Sequence, residues 1–538
     1  MPICKVTIDG NQIEVENSST IIEAAEKINN TIPHFCWHPK LSVSGNCRMC
    51  LVEVEKIPKL VIACMTKVSD GMIIYTNNSR VIKAREAVME FILINHPLDC
   101  PICDEAGECK LQDYAYNHSA GYSRFVENKV HKPKRVEIGP RVMFDAERCI
   151  SCSRCIRFCD EIVGKHQLQF VNRGDKVTIE TFPGESLDNN YSMNVVDICP
   201  VGALTNRDFR FKSRVWEMSF TDSVCVGCSR GCNIEIGSRN NEILRLTPRK
   251  NEEVNSYWMC DNGRINSFKF VNDETRLATS KKENENLNWI DAIAQTLSEL
   301  KKYNSNEIGF VASPFATNED NYFLKKLISD KFPNSFVTFA TYLNQTDEDN
   351  LLIKSDKTPN SNGVKEIYSP YKKNIAFDLF LEKINSKEIK CVYTLDEHIL
   401  DKIKNIQSII SHATNDIQNA KIVLASSTFA EVSGTVTNFN RRVQRLRPAL
   451  MTTEPEFIFD GINLSRWEKF KSWNDRWGKG PQRDSKQNWK ILQLVANSLG
   501  AKYNFKTTEE VFNEMASIIP SFKNLTYLKI GKLGSQLN

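Results

Sequence analysis

His96-Pro97-Leu98-Asp99-Cys100-Pro101-Ile102-Cys103-Asp104-Glu105-Ala106-Gly107-Glu108-Cys109 is the stretch on which the reading of this 538-residue chain turns. Its ligand-bearing residues are spaced His-x3-Cys-x2-Cys-x5-Cys, one imidazole and three thiols in close succession. Packing does not ask for such crowding, whereas a zinc ion or an iron–sulfur cluster accepts both kinds of ligand. Spacing alone leaves the two open. The remaining cysteines favour clusters: of eighteen, only Cys391 lies beyond residue 260, and fifteen of the others fall into ligand sets of differing spacing placed in series. That is a pattern of successive redox centres rather than of one zinc ribbon.

Upstream, Lys5 to Val15 alternates apolar and polar residues on either side of Asp9-Gly10, a β-hairpin signal. Thr20 with Glu23 makes a capping box that opens a helix over Ile21 to Ile28. Into this small α+β unit come Cys36, Cys47, Cys50 and Cys64, spaced C-x10-C-x2-C-x13-C. Gly45 lets the backbone approach a cluster closely there. The arrangement resembles a plant-type 2Fe-2S ferredoxin, with a first gap of ten residues where the plant pattern has four. A helix is expected over Ser79 to Asn95, capped by Ser79, with Val81, Ala84, Val88, Phe91 and Ile92 on its apolar face. Pro97 ends it and so delivers His96 to the thiol loop. A lone histidine beside an apolar helix is ordinarily packed; here Cys100, Cys103 and Cys109 lack a fourth ligand, and His96 is expected to supply it.

Downstream, the basic segment Val130 to Arg135 reads as a solvated linker, with a docking surface as the alternative. Cys149, Cys152, Cys155 and Cys159 follow as C-x2-C-x2-C-x3-C, the bacterial ferredoxin run whose fourth cysteine serves a second cluster. The second module is reduced to Asp197-Ile198-Cys199-Pro200. One 4Fe-4S cluster on Cys149, Cys152, Cys155 and Cys199 is therefore expected, with Cys159 left over. Cys225, Cys228, Cys232 and Cys260, with Gly227, Gly231 and Gly263 for tight turns, fit a further 4Fe-4S centre better than a zinc ribbon, whose second pair is usually another C-x2-C. Four sites absorb fifteen cysteines and His96, leaving Cys4, Cys159 and Cys391.

Past residue 275 the composition turns to Asn, Lys, Ser and Asp. Ile308 to Ser313, Cys391 to Leu395 and Ile422 to Ala425 read as buried strands, with a helix over Asn318 to Asp330, as in an α/β domain with a parallel sheet. Ser355 to Lys373 reads as an exposed loop. No G-x-G-x-x-G, Walker or Ser-His-Asp pattern is present, which argues weakly against substrate chemistry in this half.

The length implies a multidomain protein, since single cores rarely grow past about 250 to 300 residues. Seventy basic against sixty-six acidic residues, net +4, is too near neutral for nucleic acid as the main partner. The chain opens without a signal or transit pattern and has no run of about 18 apolar residues. It is expected to be soluble, in a reducing compartment where thiolates stay free for metal.

With all four sets in order, the chain resembles the large iron–sulfur subunit of NADH:quinone oxidoreductase, respiratory complex I. Carrying the resemblance are Cys36-Trp37-His38-Pro39, Gly45-Asn46-Cys47-Arg48-Met49-Cys50, the His96 to Cys109 set, and Asp197-Ile198-Cys199-Pro200-Val201-Gly202-Ala203-Leu204-Thr205. It supports Cys199 over Cys159 as ligand, points to Gly45 and Arg48 beside the first cluster, and implies one 2Fe-2S and three 4Fe-4S clusters. The implied domains are a 2Fe-2S ferredoxin type (1–78), a 4Fe-4S type with one histidine and three cysteine ligands (79–119), a 4Fe-4S ferredoxin-like type (140–216), a molybdopterin-oxidoreductase 4Fe-4S type (218–274) and a shortened α/β domain (275–538). In the last, Ala316 to Tyr322 and the segment from Phe429 to Gln444 resemble molybdopterin oxidoreductases. Because Cys391 is the sole cysteine there, no molybdopterin is expected.

The implied function is electron relay in the respiratory chain, from a partner that binds NADH and flavin to quinone-proximal iron–sulfur subunits, through the Cys36, then Cys149, then His96 centres. The setting would be the cytoplasmic side of a bacterial inner membrane or an organelle matrix, with membrane contact only through the complex. The alternative is the iron–sulfur subunit of an NAD-linked formate dehydrogenase or hydrogenase. A hydrogenase would need a further cysteine-rich domain, and a formate dehydrogenase a working molybdenum pocket.

Overall fold

Strands β1 (Ile3–Ile8) and β2 (Asn11–Glu16) pair in register from Ile3↔Glu16 to Ile8↔Asn11. Their two-residue turn has both members at positive φ, Asp9 at 46° and Gly10 at 85°, the geometry that Asp-Gly accepts at little cost. Helix α1 (Ile21–Lys27) starts at a complete capping box, Thr20 and Glu23 each bonding the other's backbone N–H. The helix buries Ile21, Ile22, Ala24 and Ala25 against Val6, Ile8, Val52 and Ile74. Strands β3 (Leu51–Val54), β4 (Val61–Ile62) and β5 (Ile73–Tyr75) complete a mixed sheet of order β2-β1-β5-β3-β4.

The computed structural model describes residues 2–454, 462–463, 480 and 482–537. The chain divides into two units, Met1–Val215 and Trp216–Asn538. In the first, the sheet is followed by α2 (Ser79–Leu93) and α3 (Lys110–His118). The cap of α2 is Asn78, whose side chain accepts from Val81 N at 3.0 Å, and not Ser79, which is already in the first turn. Its buried face is Val81, Arg85 and Met89, whereas Phe91 is 78% exposed. The expected apolar stripe is thus rotated: Arg85 turns inward because Leu51 O accepts its guanidinium at 3.0 Å. Lys129 closes the other end of α2, donating to the carbonyls of Leu93 and Ile94 at 2.8 and 2.7 Å.

Beyond α3, β6 (Val136–Glu137) and β7 (Val142–Phe144) join β10 (Leu204–Asn206) in a three-stranded sheet, and β8 (Leu168–Val171) pairs with β9 (Thr178–Thr181). Between them lie α4 (Arg154–Arg157), which runs into a π-helical turn over Phe158–Val163, and α5 (Asn194–Ile198). The basic segment is engaged rather than merely solvated: Lys134 sits 2.8 Å from Asp99 and 2.7 Å from Glu147, and Lys132 donates to Val177 O at 2.8 Å.

The second unit holds both the segment 218–274 and everything after it. Strands β11 (Ser219–Val224), β12 (Asn233–Arg239) and β13 (Glu242–Pro248) form an antiparallel sheet followed by α6 (Asp261–Asn272). The loop between β11 and β12 is stitched to late sequence: Gln444 donates to Gly231 O at 2.9 Å, and Phe439 N to Ser229 O at 2.8 Å. That is why residue 274 is not a division in the structure. The α/β core is a seven-stranded sheet of order β15-β14-β20-β19-β18-β16-β17, built from β14 (Ser280–Lys282), β15 (Glu285–Leu287), β16 (Ile308–Ala312), β17 (Phe336–Phe339), β18 (Cys391–Thr394), β19 (Ser408–Ala413) and β20 (Ile422–Ala425). Its last five strands in that order are parallel.

Helix α7 (Trp289–Leu300) and helix α8 (Asn318–Lys331), with a Thr317–Asp320 capping box, contribute to the core around this sheet. The expected loop at Ser355 to Lys373 instead contains helix α9 (Ser361–Tyr368), with Val364, Ile367 and Tyr368 fully buried. Asn360, itself buried, fixes its start by donating to Ala316 O at 2.8 Å and accepting from Thr437 N at 2.7 Å. No helix among the described residues is long and apolar enough to cross a membrane.

Candidate metal centres

The first thiol set lies on the irregular chain between α1 and β3 and just beyond β4. Cys36, Cys50 and Cys64 are buried and Cys47 half-buried. Hydrogen bonds from Cys47 and Cys64 hold Cys36 far below the usual thiol range, and the same bonds with burial push Cys47 and Cys64 up. Thiols packed this closely raise one another on ionising, and positive charge among them, as a metal supplies, relieves it. Gly45 sits at φ 64° and Arg48 at φ 57°, so the loop doubles back on both sides of Cys47. Arg48 is exposed. It lines a cleft with Cys47, His96 and Cys149, which brings members of three ligand sets to one opening.

The second set begins where α2 stops. Cys100 starts a single 3-10 turn, and Cys109 occupies the N-cap of α3. The three thiols sense one another's charge, Cys100 raising Cys103 and Cys103 raising Cys109, although burial is the larger cause in both. His96 Nδ1 is buried without a hydrogen-bond partner. Burial, then the Lys129 and Arg148 cations, push the imidazole down to about 4, so it is neutral at physiological pH with a lone pair free. A third segment closes this cradle: a Cβ at Gly202 would lie 2.3 Å from Cys103 Sγ.

The third set converges on one cavity lined by Cys149, Cys152, Cys155 and Cys199. Ser151 and Ser153 at φ 54° and 61° curl the chain between the first three. Cys199 follows α5 directly. Cys159 is buried in the π-helical turn, does not line this cavity, and has its thiol pushed up to about 12 by burial. The fourth set, Cys225, Cys228, Cys232 and Cys260, lines a cavity in the second unit. Cys260 caps α6, its sulfur accepting from Gly263 N at 3.3 Å. A Cβ at Gly263 would stand 3.0 Å from Cys225 Sγ and 3.2 Å from Cys260 Sγ, so only glycine leaves the cradle open. Burial pushes Cys225 up to about 11 and Cys260 to about 12.

No group of three His, Cys, Asp or Glu side chains among the described residues has the arrangement of a single-ion site. Sequence reasoning passed over the cations around the thiols. Arg85 underlies the Cys50 strand, Arg214 donates to the Cys103 carbonyl at 2.6 Å, and Arg154 and Arg157 stand inside the third thiol run itself. The last two had a legible signal, since Cys152-Ser153-Arg154-Cys155-Ile156-Arg157 puts two arginines three residues apart among ligands.

The carboxyl ends of β18, β19 and β20 open onto a separate cavity of about 420 Å³ in the second unit, whose lining holds no cysteine. Cys391 lies fully buried within β18.

Four family models match in series. Residues 4–79 match a 2Fe-2S iron–sulfur cluster binding domain, and residues 85–124 the NADH-ubiquinone oxidoreductase-G iron–sulfur binding region. Residues 139–205 match the ferredoxin-like domain of NADH-quinone oxidoreductase subunit 3, and residues 218–267 the NDSU1/NuoG-like 4Fe-4S domain of NADH-ubiquinone oxidoreductase. Among curated proteins, the G-type subunit of NADH-quinone oxidoreductase from Rickettsia felis is 41% identical over 334 residues, 62% of this chain and 50% of the relative. The mitochondrial 78 kDa subunit of NADH-ubiquinone oxidoreductase from Neurospora crassa is 46% identical over 264 residues, 48% of this chain and 35% of the relative. The chain thus spans about half the length, or less, of these relatives. Among solved structures, an NAD+-reducing [NiFe]-hydrogenase in the H2-reduced state matches at 26% identity and a TM-score of 0.36, covering 39% of this chain and 91% of that one. The chain carries 2Fe-2S and 4Fe-4S binding domains and is a homologue of the G-type subunit of NADH-quinone oxidoreductase over 62% of its length.

Proposed function

We propose that the chain is the iron–sulfur relay subunit of an NADH:quinone oxidoreductase, taking electrons from a flavin-bearing, NADH-oxidising partner and delivering them to quinone-proximal iron–sulfur subunits. What carries the reading is the coincidence of two orders: the thiol sets along the chain and the four domain models that match them. One 2Fe-2S cluster would sit on Cys36, Cys47, Cys50 and Cys64. Three 4Fe-4S clusters would sit on His96 with Cys100, Cys103 and Cys109; on Cys149, Cys152, Cys155 and Cys199; and on Cys225, Cys228, Cys232 and Cys260. Each cluster, when bound, supplies a site that takes and gives one electron.

The residues of the chain shield most of those ligands from water, Cys100 excepted, and set their charge. Cys103 and Cys109 at the second site, the four thiols of the third, and Cys225, Cys232 and Cys260 at the fourth are raised mainly by burial, so their deprotonation awaits the metal. Neutral His96 contributes one negative charge fewer than a thiolate, which favours reduction at that site, as in Rieske centres. The cavity at the sheet's carboxyl edge is lined by Ser313, Ser426 and Ser427 but by no cysteine; the second unit is proposed as a scaffold without molybdopterin, and molybdenum analysis decides it. With no membrane-crossing helix among the described residues, membrane association would come through partner subunits.

The test is iron, acid-labile sulfide and molybdenum analysis with low-temperature EPR on anaerobically purified, dithionite-reduced protein. About fourteen irons, one 2Fe-2S signal with several 4Fe-4S signals, and no molybdenum are expected. Zinc without sulfide overturns the reading, and stoichiometric molybdenum moves it to a formate dehydrogenase.

A further inference from the structure

Arg154 opens α4 between Cys152 and Cys155 and is 4% exposed. Its Nη1 donates to Ile198 O at 3.0 Å, the residue before Cys199, and its Nη2 donates to Trp37 O, the residue after Cys36. One guanidinium therefore grips a ligand segment of the first site and another of the third. Arg157, three residues on, donates from Nη2 to Cys36 O at 2.6 Å and to Cys152 O at 3.3 Å, and from Nη1 to Ser42 O. Further ties run alongside: Asn46 Nδ2 to Ser151 O at 3.0 Å, Ser153 Oγ to Ser44 Oγ at 3.3 Å, and Ser42 N to the Glu161 carboxylate at 2.7 Å.

Holding loops together does not require a buried full charge, since neutral amides such as Asn46 do the same work. A desolvated cation is costly unless an anion faces it. Both Nη atoms of Arg154 go to carbonyls, and its Nε is buried without a partner. Burial pushes its guanidinium below the usual range, and the sulfurs of Cys152, Cys199 and Cys36, drawn from both sites, act in the opposite direction once they are ionised as cluster ligands.

We propose that Arg154, supported by Arg157, is a positioning residue shared by the Cys36 and Cys149 centres, holding their ligand loops together and raising the midpoint potential of both. The proposal rests on the cluster assignment above. Reduction adds one electron and one negative charge to either centre, and no bond to the arginine forms or breaks. A fixed cation beside both therefore favours the reduced form of each, more strongly in a poorly solvated seam than it would in water.

The experiment is an EPR-monitored redox titration of the full chain carrying its clusters, comparing wild type with Arg154→Gln, Arg154→Lys and Arg157→Gln. Arg154→Gln is expected to lower the reduction equilibrium of both the 2Fe-2S centre and the Cys149 4Fe-4S centre about tenfold, a shift of about 59 mV each, with the His96 and Cys225 centres left in place. Arg154→Lys, which keeps the charge and loses the fork, is expected to return both midpoints most of the way to wild type. Arg157→Gln should move both in the same direction by less. Movement of one centre alone, or equal shifts from the Lys and Gln variants, overturns the proposal. If Arg154→Gln does not fold, the Lys variant and Arg157→Gln decide on the same criteria. Wild-type protein lacking both signals defeats the cluster assignment itself; wild-type signals with unmoved midpoints in the variants defeat only the role of the arginines.

Discussion

His96 is neutral because it is buried and because Lys129 and Arg148 face it, and Lys129 is held there by the last carbonyls of α2. His96→Cys adds a negative charge to its site, so the midpoint of that centre should fall while the others stay; an EPR titration in which a retained cluster keeps its midpoint would remove the charge argument. Gly202→Ala places a methyl 2.3 Å from Cys103 Sγ, and the expected outcome is selective loss of that centre's EPR signal. Away from the thiols, Glu319 is buried, accepting from Thr435 N, Thr435 Oγ1 and Tyr527 OH, and burial pushes its carboxyl from 4.5 up to about 7. The folded state therefore holds a proton that the unfolded chain releases. The stability it contributes is complete below pH 4.5 and is lost as pH rises through about 7, on the order of 3 kcal/mol in all. Glu319→Gln, whose amide can donate to the two hydroxyls, should flatten that slope in denaturant titrations of the second unit between pH 5 and 8. At this scale the thiols were legible because ligand chemistry restricts residue type and spacing together. The arginines were not, because a charge among ligands reads as surface until the carbonyls that accept it are brought from 117 and 44 residues away.

Among the elements, those specified by their own residues were read from sequence and those specified by packing were not. The hairpin and α1 carry their turn and cap within a few positions. Helix α2 was foreseen, but its cap was placed one residue late and its buried face was misjudged, since an inward arginine is not an apolar signal. Asn78 also donates to Glu53 at 2.7 Å. Asn78→Ala is expected to cost about 1 kcal/mol or somewhat more, read as a lower denaturant midpoint for the first unit. Helix α9 reads as a loop from sequence because Ser355 to Lys373 is turn-rich and polar, and Ser361-Asn362-Gly363 adds poor helix propensity. Tertiary contact overrides it: a Cβ at Gly363 would lie 1.9 Å from Asn318 Oδ1 and 2.2 Å from Asn360 Oδ1. Gly363→Ala should destabilise the second unit by roughly 1 to 3 kcal/mol despite raising local propensity. Strands β16, β18 and β20 are legible from their buried runs and β14, β15, β17 and β19 are not, and the order of all seven in the sheet depends on crossovers that no local pattern records.

For the whole molecule, three of the four ligand sets fall in the first unit and one in the second. If fragments 1–215 and 216–538 are made separately and reconstituted, the expected iron contents are about ten and about four, measured by metal and sulfide analysis. The notional boundary at residue 274 should fail the same test, because the loop that carries Cys228 and Cys232 leans on Phe439 and Gln444.

The ties that fasten residues 36–46 to residues 151–161 also bear on how the protein is made. The paired groups are 105 to 121 residues apart. At translation rates of about 5 to 20 residues per second, Cys36 leaves the ribosome roughly 5 to 25 s before its supports exist. During that interval the nascent chain presents Cys36 and Cys47 on a loop that lacks its ties to Arg154 and Arg157, and those ties form only once α4 has been made.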